Sequence, residues 1–281
     1  MAYETIKYEV AEQILTITLN RPDKLNAFNP AMQRELIAAF DNFAFDEVLR
    51  DTGLDVRTRL MVQLAAIIAS QAVREYRAMA GAALTVGVTP VELKEVVYQA
   101  VPYVGLAKVF DFLHATNEVL AERGVALPLP GQATTTPETR LARGLAVQRQ
   151  VVGDDTVDKL YASAPADEQH IQQLLSANCF GDWVARGGLD LATRELLTFS
   201  MLAALGGCDP QVKAHVTANL RVGNDRARLI DVATQLLPFI GYPRTLNALR
   251  AIDEAAPVPR AGAEPAATAA STTPTPLRGQ E

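Results

Sequence analysis

GVTPVELKEVVYQAVPYVGLAKVFDFL, residues 87 to 113, lies without a gap over GNDRARLIDVATQLLPFIGYPRTLNAL, residues 223 to 249, at an offset of 136. Gly87, Leu93, Val96, Gln99, Pro102, Gly105 and Leu113 recur as Gly223, Leu229, Val232, Gln235, Pro238, Gly241 and Leu249. A second block repeats at an offset of 135, where Phe45, Gly53, Leu54, Asp55 and Arg59 return as Phe180, Gly188, Leu189, Asp190 and Arg194. One residue of slippage between the blocks is what a small loop change gives. Glycines and prolines kept in one order between apolar segments mark a repeated unit. The chain is a duplication.

Outward from these blocks the apolar period is helical. Arg57 to Ala82 reads as one long, alanine-rich helix with Leu60, Leu64, Ile67 and Ile68 on a stripe. Thr89-Pro90 reads as an N-cap followed by proline, with Glu92 two residues further in. Gly105 interrupts, and a further helix runs to about Arg123; Pro128, Pro130, Gly131 and Thr134 to Thr136 form a connector. Helices resume near Glu138 and continue to Glu254. The spacing of Tyr98, Phe110, Phe112 and Trp183 suits core positions on helices.

The two ends differ from this pattern. Tyr3, Ile6 and Tyr8, then Ile14, Thr16 and Thr18, alternate with their neighbours as two strands joined at Ala11-Glu12-Gln13, and Pro30 opens a helix through about Phe40. Ala255 to Glu281 is rich in Pro, Ala and Thr with almost no large apolar residue, and is expected to be disordered. The predicted fold is all-α, a duplicated helical bundle with a short N-terminal β-hairpin. Its parts are residues 1–41, a first copy at 42–126, a connector with helices at 127–166, a second copy at 167–254, and a tail at 255–281.

The totals exclude several functions. The chain has 281 residues, 49% apolar and 21% charged, as a globular protein with a sizeable core has. A net charge of −6 offers no basic stripe for phosphates, so no nucleic-acid partner is expected. No apolar run approaches membrane-spanning length, and Glu4 and Glu9 stand where a signal peptide would be apolar. Two cysteines, Cys179 and Cys208, are too few for a disulfide scaffold, and with three widely spaced histidines they make no zinc pattern. A cytoplasmic protein without a cofactor or metal is the expectation.

Among residues able to carry chemistry, Cys208 comes first. Asp209-Pro210 after it reads as N-cap and first helical residue, so the thiol precedes a helix N-terminus, where unpaired N–H groups favour a thiolate and Asp209 opposes one. His215 lies seven residues on, on the same helix face but about 10 Å along the axis, too far for a direct hydrogen bond without a relay through water or Gln211. Glu195 follows Arg194 at the start of an apolar helix, where partial enclosure would raise its pKa and suit it to acid–base work. Arg244 and Arg221 could hold an acidic substrate, or either could serve as a helix-end cation or a subunit salt bridge, the reading that suits Arg221 better. The first copy has Leu60, Ala72 and Met79 where the second has Glu195, Cys208 and His215, so only the second copy can be catalytic.

Three stretches, TRELLTFSML from Thr193, GGCDPQVKAH from Gly206 and FIGYPRTLNA from Phe239, resemble the carboxymuconolactone decarboxylase family, which shares its all-helical fold with the alkyl hydroperoxidase D-like proteins. The resemblance covers roughly Asn42 to Ile252. It implies proton transfer by a glutamate in the region of Glu195 together with Cys208 and His215, and assembly as a trimer of duplicated chains. The hydroperoxidase-type members carry two cysteines two residues apart, with a histidine four after the second. Here Gln211 stands at the second cysteine position, so a disulfide peroxidase cycle lacks its local resolving thiol.

The implied activity is cofactor-independent decarboxylation of a small lactone dicarboxylate, with Glu195, Cys208 and His215 catalytic and Arg244 and Gln211 binding substrate. A thiol peroxidase using Cys208 on a hydroperoxide, and a non-catalytic oligomeric scaffold, are the alternatives. Separately, VAEQILTITLNRPDKLNA, from Val10 to Ala27, is similar to the opening of an enoyl-CoA hydratase, with nothing matching that family's catalytic carboxylates further on.

Overall fold

A computed structural model describes residues 3–11, 14–27 and 29–258. Strands β1 (Ile6–Ala11) and β2 (Ile14–Leu19) pair antiparallel, with Ile6 opposite Leu19 and Glu9 opposite Thr16. Helix α1 (Pro30–Asn42) begins at the expected proline, where Asn29 caps it by accepting from the Met32 N–H. The hairpin is held to α1 by Glu35, whose carboxylate accepts from the Glu4 and Thr5 N–H groups, and by a small core of Ile6, Met32 and Ala39. Two strands alone are marginal in water, so this packing carries them.

The first copy then contains α2 (Val56–Ala69), α3 (Val73–Thr85), α4 (Pro90–Val104) and α5 (Leu106–Glu122). Between the copies lie α6 (Arg140–Val152) and α7 (Asp154–Ser163). The second copy contains α8 (Gln169–Leu174), α9 (Leu191–Leu205), α10 (Asp209–Arg221) and α11 (Arg226–Ala255). The all-α class with an N-terminal hairpin stands. Of the tail, Ala255 closes α11, and residues 259–281 lie outside the described residues.

The duplication is visible in how helices begin and break. Asp55 and Asp190 cap α2 and α9; Thr89 and Asp225 cap α4 and α11. Thr89 and Glu92 form a full capping box, which satisfies two otherwise unpaired donors. Gly105 and Gly241, both at positive φ, separate α4 from α5 and kink α11 at the same place in each copy. A π-helical segment precedes each first long helix, Phe43–Glu47 in one copy and Leu175–Val184 in the other.

The long helix expected from Arg57 to Ala82 is broken. Ser70–Ala72 forms a turn with Gln71 at φ 63°, and the Gln71 amide donates to the Ile68 carbonyl at 2.8 Å, which satisfies one exposed helix end. No glycine or proline announces this turn. Phe110, expected in the core, is 52% exposed and rests its ring on His114, whereas Phe112 is fully buried.

The two copies meet through α2 and α9. Every residue from Leu60 to Ala69 and from Arg194 to Ala204 is buried, so both helices are enclosed on all sides. Their polar side chains must therefore find partners inside. Gln99 donates to Thr198 Oγ1 at 3.1 Å, and the pair at the corresponding repeat positions is Gln235 with Gln63, at 3.4 Å. Arg194, wholly buried, donates to Glu95 at 2.9 Å, to Gln99 at 2.8 Å and to the carbonyls of Arg186 and Gly187. Glu95 also takes a two-pronged contact from Arg186, whose guanidinium lies 4.6 Å over the Tyr98 ring. Helix α6 crosses the Leu175–Val184 segment closely: a Cβ on Gly144 would stand 1.9 Å from the Ser176 carbonyl oxygen. No helix among the described residues is long and apolar enough to cross a membrane.

Candidate active site

Two adjacent helices carry the acid–base pair. Asp190 accepts from the Thr193 N–H and starts α9 so that Glu195, in its second turn, faces α10. Val212 and Val216 face the core from α10, which turns His215 towards α9. Asn219 fixes the register: its amide donates to the Glu195 carbonyl at 3.0 Å and to the His215 carbonyl at 2.7 Å, and Asn224 in turn bonds Asn219. The result is a 2.7 Å contact between His215 Nδ1 and Glu195 Oε2.

The Glu195 carboxylate is wholly buried and the imidazole is 14% exposed. With Nδ1 engaged by the carboxylate, Nε2 is the ring nitrogen left outside that contact. Glu195 Oε1 is buried with no hydrogen-bond partner. A buried carboxylate oxygen without a partner costs stability, and such groups cluster at functional sites. Glu195 is thus no ordinary exposed first-turn glutamate.

Cys208 is not part of this contact. The residue itself occupies the N-cap of α10, one place earlier than the sequence suggested, and Asp209 is the first helical residue. Its Sγ turns back to donate to the Leu202 carbonyl at 3.3 Å. Burial, and secondarily Asp209, push its pKa up rather than down, so the expected helix-end thiolate does not arise. Gln211 is exposed and donates its backbone N–H to the Cys208 carbonyl. Arg244 lies across Gly206 and lines a crevice of about 10 Å³ with Leu202, Asp209 and Val212, room for about one water. A larger hollow of about 400 Å³ lies between α10 and α11, lined by Asp209, Lys213, Asn247, Arg250 and Glu254.

Two further residues join the pair: Tyr103, which the sequence did not single out, and Cys179, which it offered only as a distant thiol that could stand in for a resolving cysteine. Tyr103, from α4 of the first copy, meets the His215 ring edge to face at 5.5 Å. The Cys179 thiol donates to the Tyr103 hydroxyl at 3.9 Å. Burial above all, with the negative charge of Glu195 adding to it, pushes the Cys179 thiol up to about 12. Burial likewise holds the Tyr103 phenol well above its ordinary range, so both stay protonated at neutral pH. Cys179 and Cys208 are both free thiols. The signal for these residues lay in comparing the copies. Tyr103 corresponds to Phe239 and Cys179 to Ala44, just as Glu195, His215 and Asn219 correspond to Leu60, Met79 and Ala83. Each of these five residues is apolar in its mirror position, whereas the neighbouring Thr198 has the polar counterpart Gln63. Among the described residues no group of three His, Cys, Asp or Glu side chains converges as a metal site.

The carboxymuconolactone decarboxylase family model matches residues 34–118 and again residues 169–254. The chain belongs to the carboxymuconolactone decarboxylase family. It is 33% identical over 117 residues to a 4-carboxymuconolactone decarboxylase of Acinetobacter baylyi, a match covering 42% of this chain and 87% of that protein. Its tandem arrangement is therefore two family units in one polypeptide. The N-terminal stretch has a separate likeness, 54% identity over 39 residues to a probable enoyl-CoA hydratase of Rhodobacter capsulatus. That match spans 14% of this chain and 15% of the hydratase, so the family units make up the greater part of the molecule.

Proposed function

We propose that the second copy, within residues 167–254, is a cofactor-independent decarboxylase acting on a small lactone acid such as 4-carboxymuconolactone. The 2.7 Å contact between the buried Glu195 carboxylate and the solvent-reaching His215 carries this reading. Loss of carbon dioxide leaves the electron pair of the broken C–C bond on the substrate, delocalised through the ring alkene onto the lactone carbonyl. Protonated His215 gives its Nε2 proton to carbon, forming the new C–H bond, and Glu195 stabilises the imidazolium before the transfer and orients the ring throughout. Arg244 and Gln211 remain the candidates for holding a retained carboxylate beside the Cys208 turn.

Cys208 is given a supporting place in this mechanism. A raised thiol pKa and a hydrogen bond donated to a backbone carbonyl make it a poor nucleophile. Cys208→Ser is expected to keep 4-carboxymuconolactone decarboxylation within about tenfold of the parent, since the general acid–base pair is intact. Loss of that activity in step with loss of peroxide reduction by the same variant would favour the thiol-peroxidase alternative instead. The assembly proposed is a trimer of duplicated chains. Leu106 and Phe110 on α5, and their counterparts Tyr242 and Leu246 on α11, are each more than half exposed and give every copy the same apolar face.

A further inference from the structure

We infer that Tyr103, a residue of the first copy, is a positioning residue for the second copy's acid–base pair: anchored at its hydroxyl, its ring holds the His215 imidazole in the orientation that faces Glu195. This rests on the decarboxylase reading of Glu195 and His215, and it makes the active unit composite. The copy without such a pair steadies the pair of its neighbour.

The hydroxyl is fully engaged inside the protein. Tyr103 lies on α4, and its oxygen meets Thr198 of α9 and the Cys179 thiol, which donates to it at 3.9 Å. Thr198 gives its one proton to the Arg194 carbonyl at 3.0 Å, and its oxygen accepts from Gln99 at 3.1 Å. The second lone pair of that oxygen is left for Tyr103, so the phenol must be the donor in their contact. Thr198 and Cys179 are both buried. A phenol that donates once and accepts once among buried partners is fixed in place.

The ring passes that restraint to the imidazole. It meets His215 edge to face at 5.5 Å, with the planes 86° apart. A single hydrogen bond at Nδ1 leaves the imidazole free to tilt, because the outer torsion of histidine has broad wells. Packing against an anchored ring removes that freedom. Misplacing a reacting group by about 1 Å can cost about 10²-fold in rate, so the restraint bears on turnover.

The duplication provides an internal control. The ring is kept in both copies, as Tyr103 and as Phe239, which packs on Phe40 at 6.2 Å. At the mirror position Cys179 becomes Ala44, Thr198 becomes Gln63, and Met79 stands in place of His215. Packing alone asks for a ring. The anchoring hydroxyl occurs only beside the imidazole.

The test uses the purified full chain labelled with ¹⁵N-histidine, the His215→Gln variant assigning the signal. At alkaline pH the parent should show the well-separated nitrogen shifts of one tautomer, its proton on Nδ1 facing Glu195. Tyr103→Leu removes ring and anchor together. It is expected to draw the two His215 shifts towards each other and to lower kcat on 4-carboxymuconolactone about 10²-fold, with KM within about twofold. Tyr103→Phe keeps the ring and loses the anchor; it should move the shifts part of the way and lower kcat about tenfold. Phe239→Leu should change neither. In a His215→Gln background, Tyr103→Leu should lower kcat by no more than about twofold, because it acts through the imidazole. Parent-like His215 shifts in either Tyr103 variant overturn the positioning role, whatever the rate does. An equal loss of kcat in Phe239→Leu, or the full loss in the His215→Gln background, overturns it too. The shifts need no substrate, so a parent chain inert on the lactone overturns the decarboxylase reading while the spectra still decide whether Tyr103 holds His215.

Discussion

Glu195→Gln is expected to lower the decarboxylation rate by about 10²- to 10⁴-fold, the range for removal of a general acid–base group. The substitution is nearly isosteric, and the glutamine oxygen can still accept from His215 Nδ1 across the same 2.7 Å. What disappears is the negative charge that stabilises an imidazolium and holds the proton in reserve for the substrate. The fold has no need of that charge. Glu195 Oε1 is already unpartnered, and the helices are tied by Asn219 through the backbone of both residues. Turnover should therefore collapse while the melting temperature holds or rises, because a neutral amide costs less to bury than a carboxylate. Steady-state kinetics on 4-carboxymuconolactone together with thermal unfolding separate the two effects. A rate within tenfold of the parent would remove Glu195 from the mechanism.

The largest effect on stability is expected at Glu95. Its carboxylate, 2% exposed, sits between the guanidiniums of Arg186 and Arg194, both at 2.9 Å. Glu95→Gln leaves two cations facing each other around a neutral amide, one of them wholly buried. Breaking a buried ion pair from one side costs about 3–5 kcal/mol, far more than the pair contributes relative to an apolar replacement. The counterpart in the other copy is Asp231, which among the described residues accepts from the Gly53 N–H at 3.0 Å. Asp231→Asn should cost under about 0.5 kcal/mol, since the asparagine oxygen can still accept from the Gly53 N–H. Urea unfolding of both variants tests the asymmetry. Equal losses at the two positions would contradict the placement of Arg194 and Glu95 at the hub between the copies.

Much of the architecture was legible because helix punctuation survives duplication. Gly105 and Gly241 hold backbone that other residues avoid, and Thr89, Asp190 and Asp225 cap helices with side chains that few residues can replace. The turn at Gln71 was hidden for the opposite reason. A non-glycine residue takes the left-handed conformation there, and the bond from its own amide to the Ile68 carbonyl offsets the cost.

At the candidate site, Glu195 and His215 could be named from sequence, but their contact could not. They lie on different helices, and the seven-residue spacing drew attention to Cys208 and His215 instead. Helix-end reasoning assigned the thiol a lowered pKa; burial and Asp209 outweigh the dipole because Sγ points back at Leu202 rather than towards free N–H groups. Tyr103 was taken neither as core nor as site because it belongs to the other copy. Only the packing of α4 against α9 brings it to His215.

The most direct measurement is a double-mutant cycle on 4-carboxymuconolactone decarboxylation with Glu195→Gln, His215→Gln and the pair together. Two residues that act as one proton-handling unit give strongly non-additive losses, so the double variant should be no more than about threefold slower than the worse single variant. Losses that multiply, each substitution acting as though the other were absent, would contradict the pair as the centre of the chemistry.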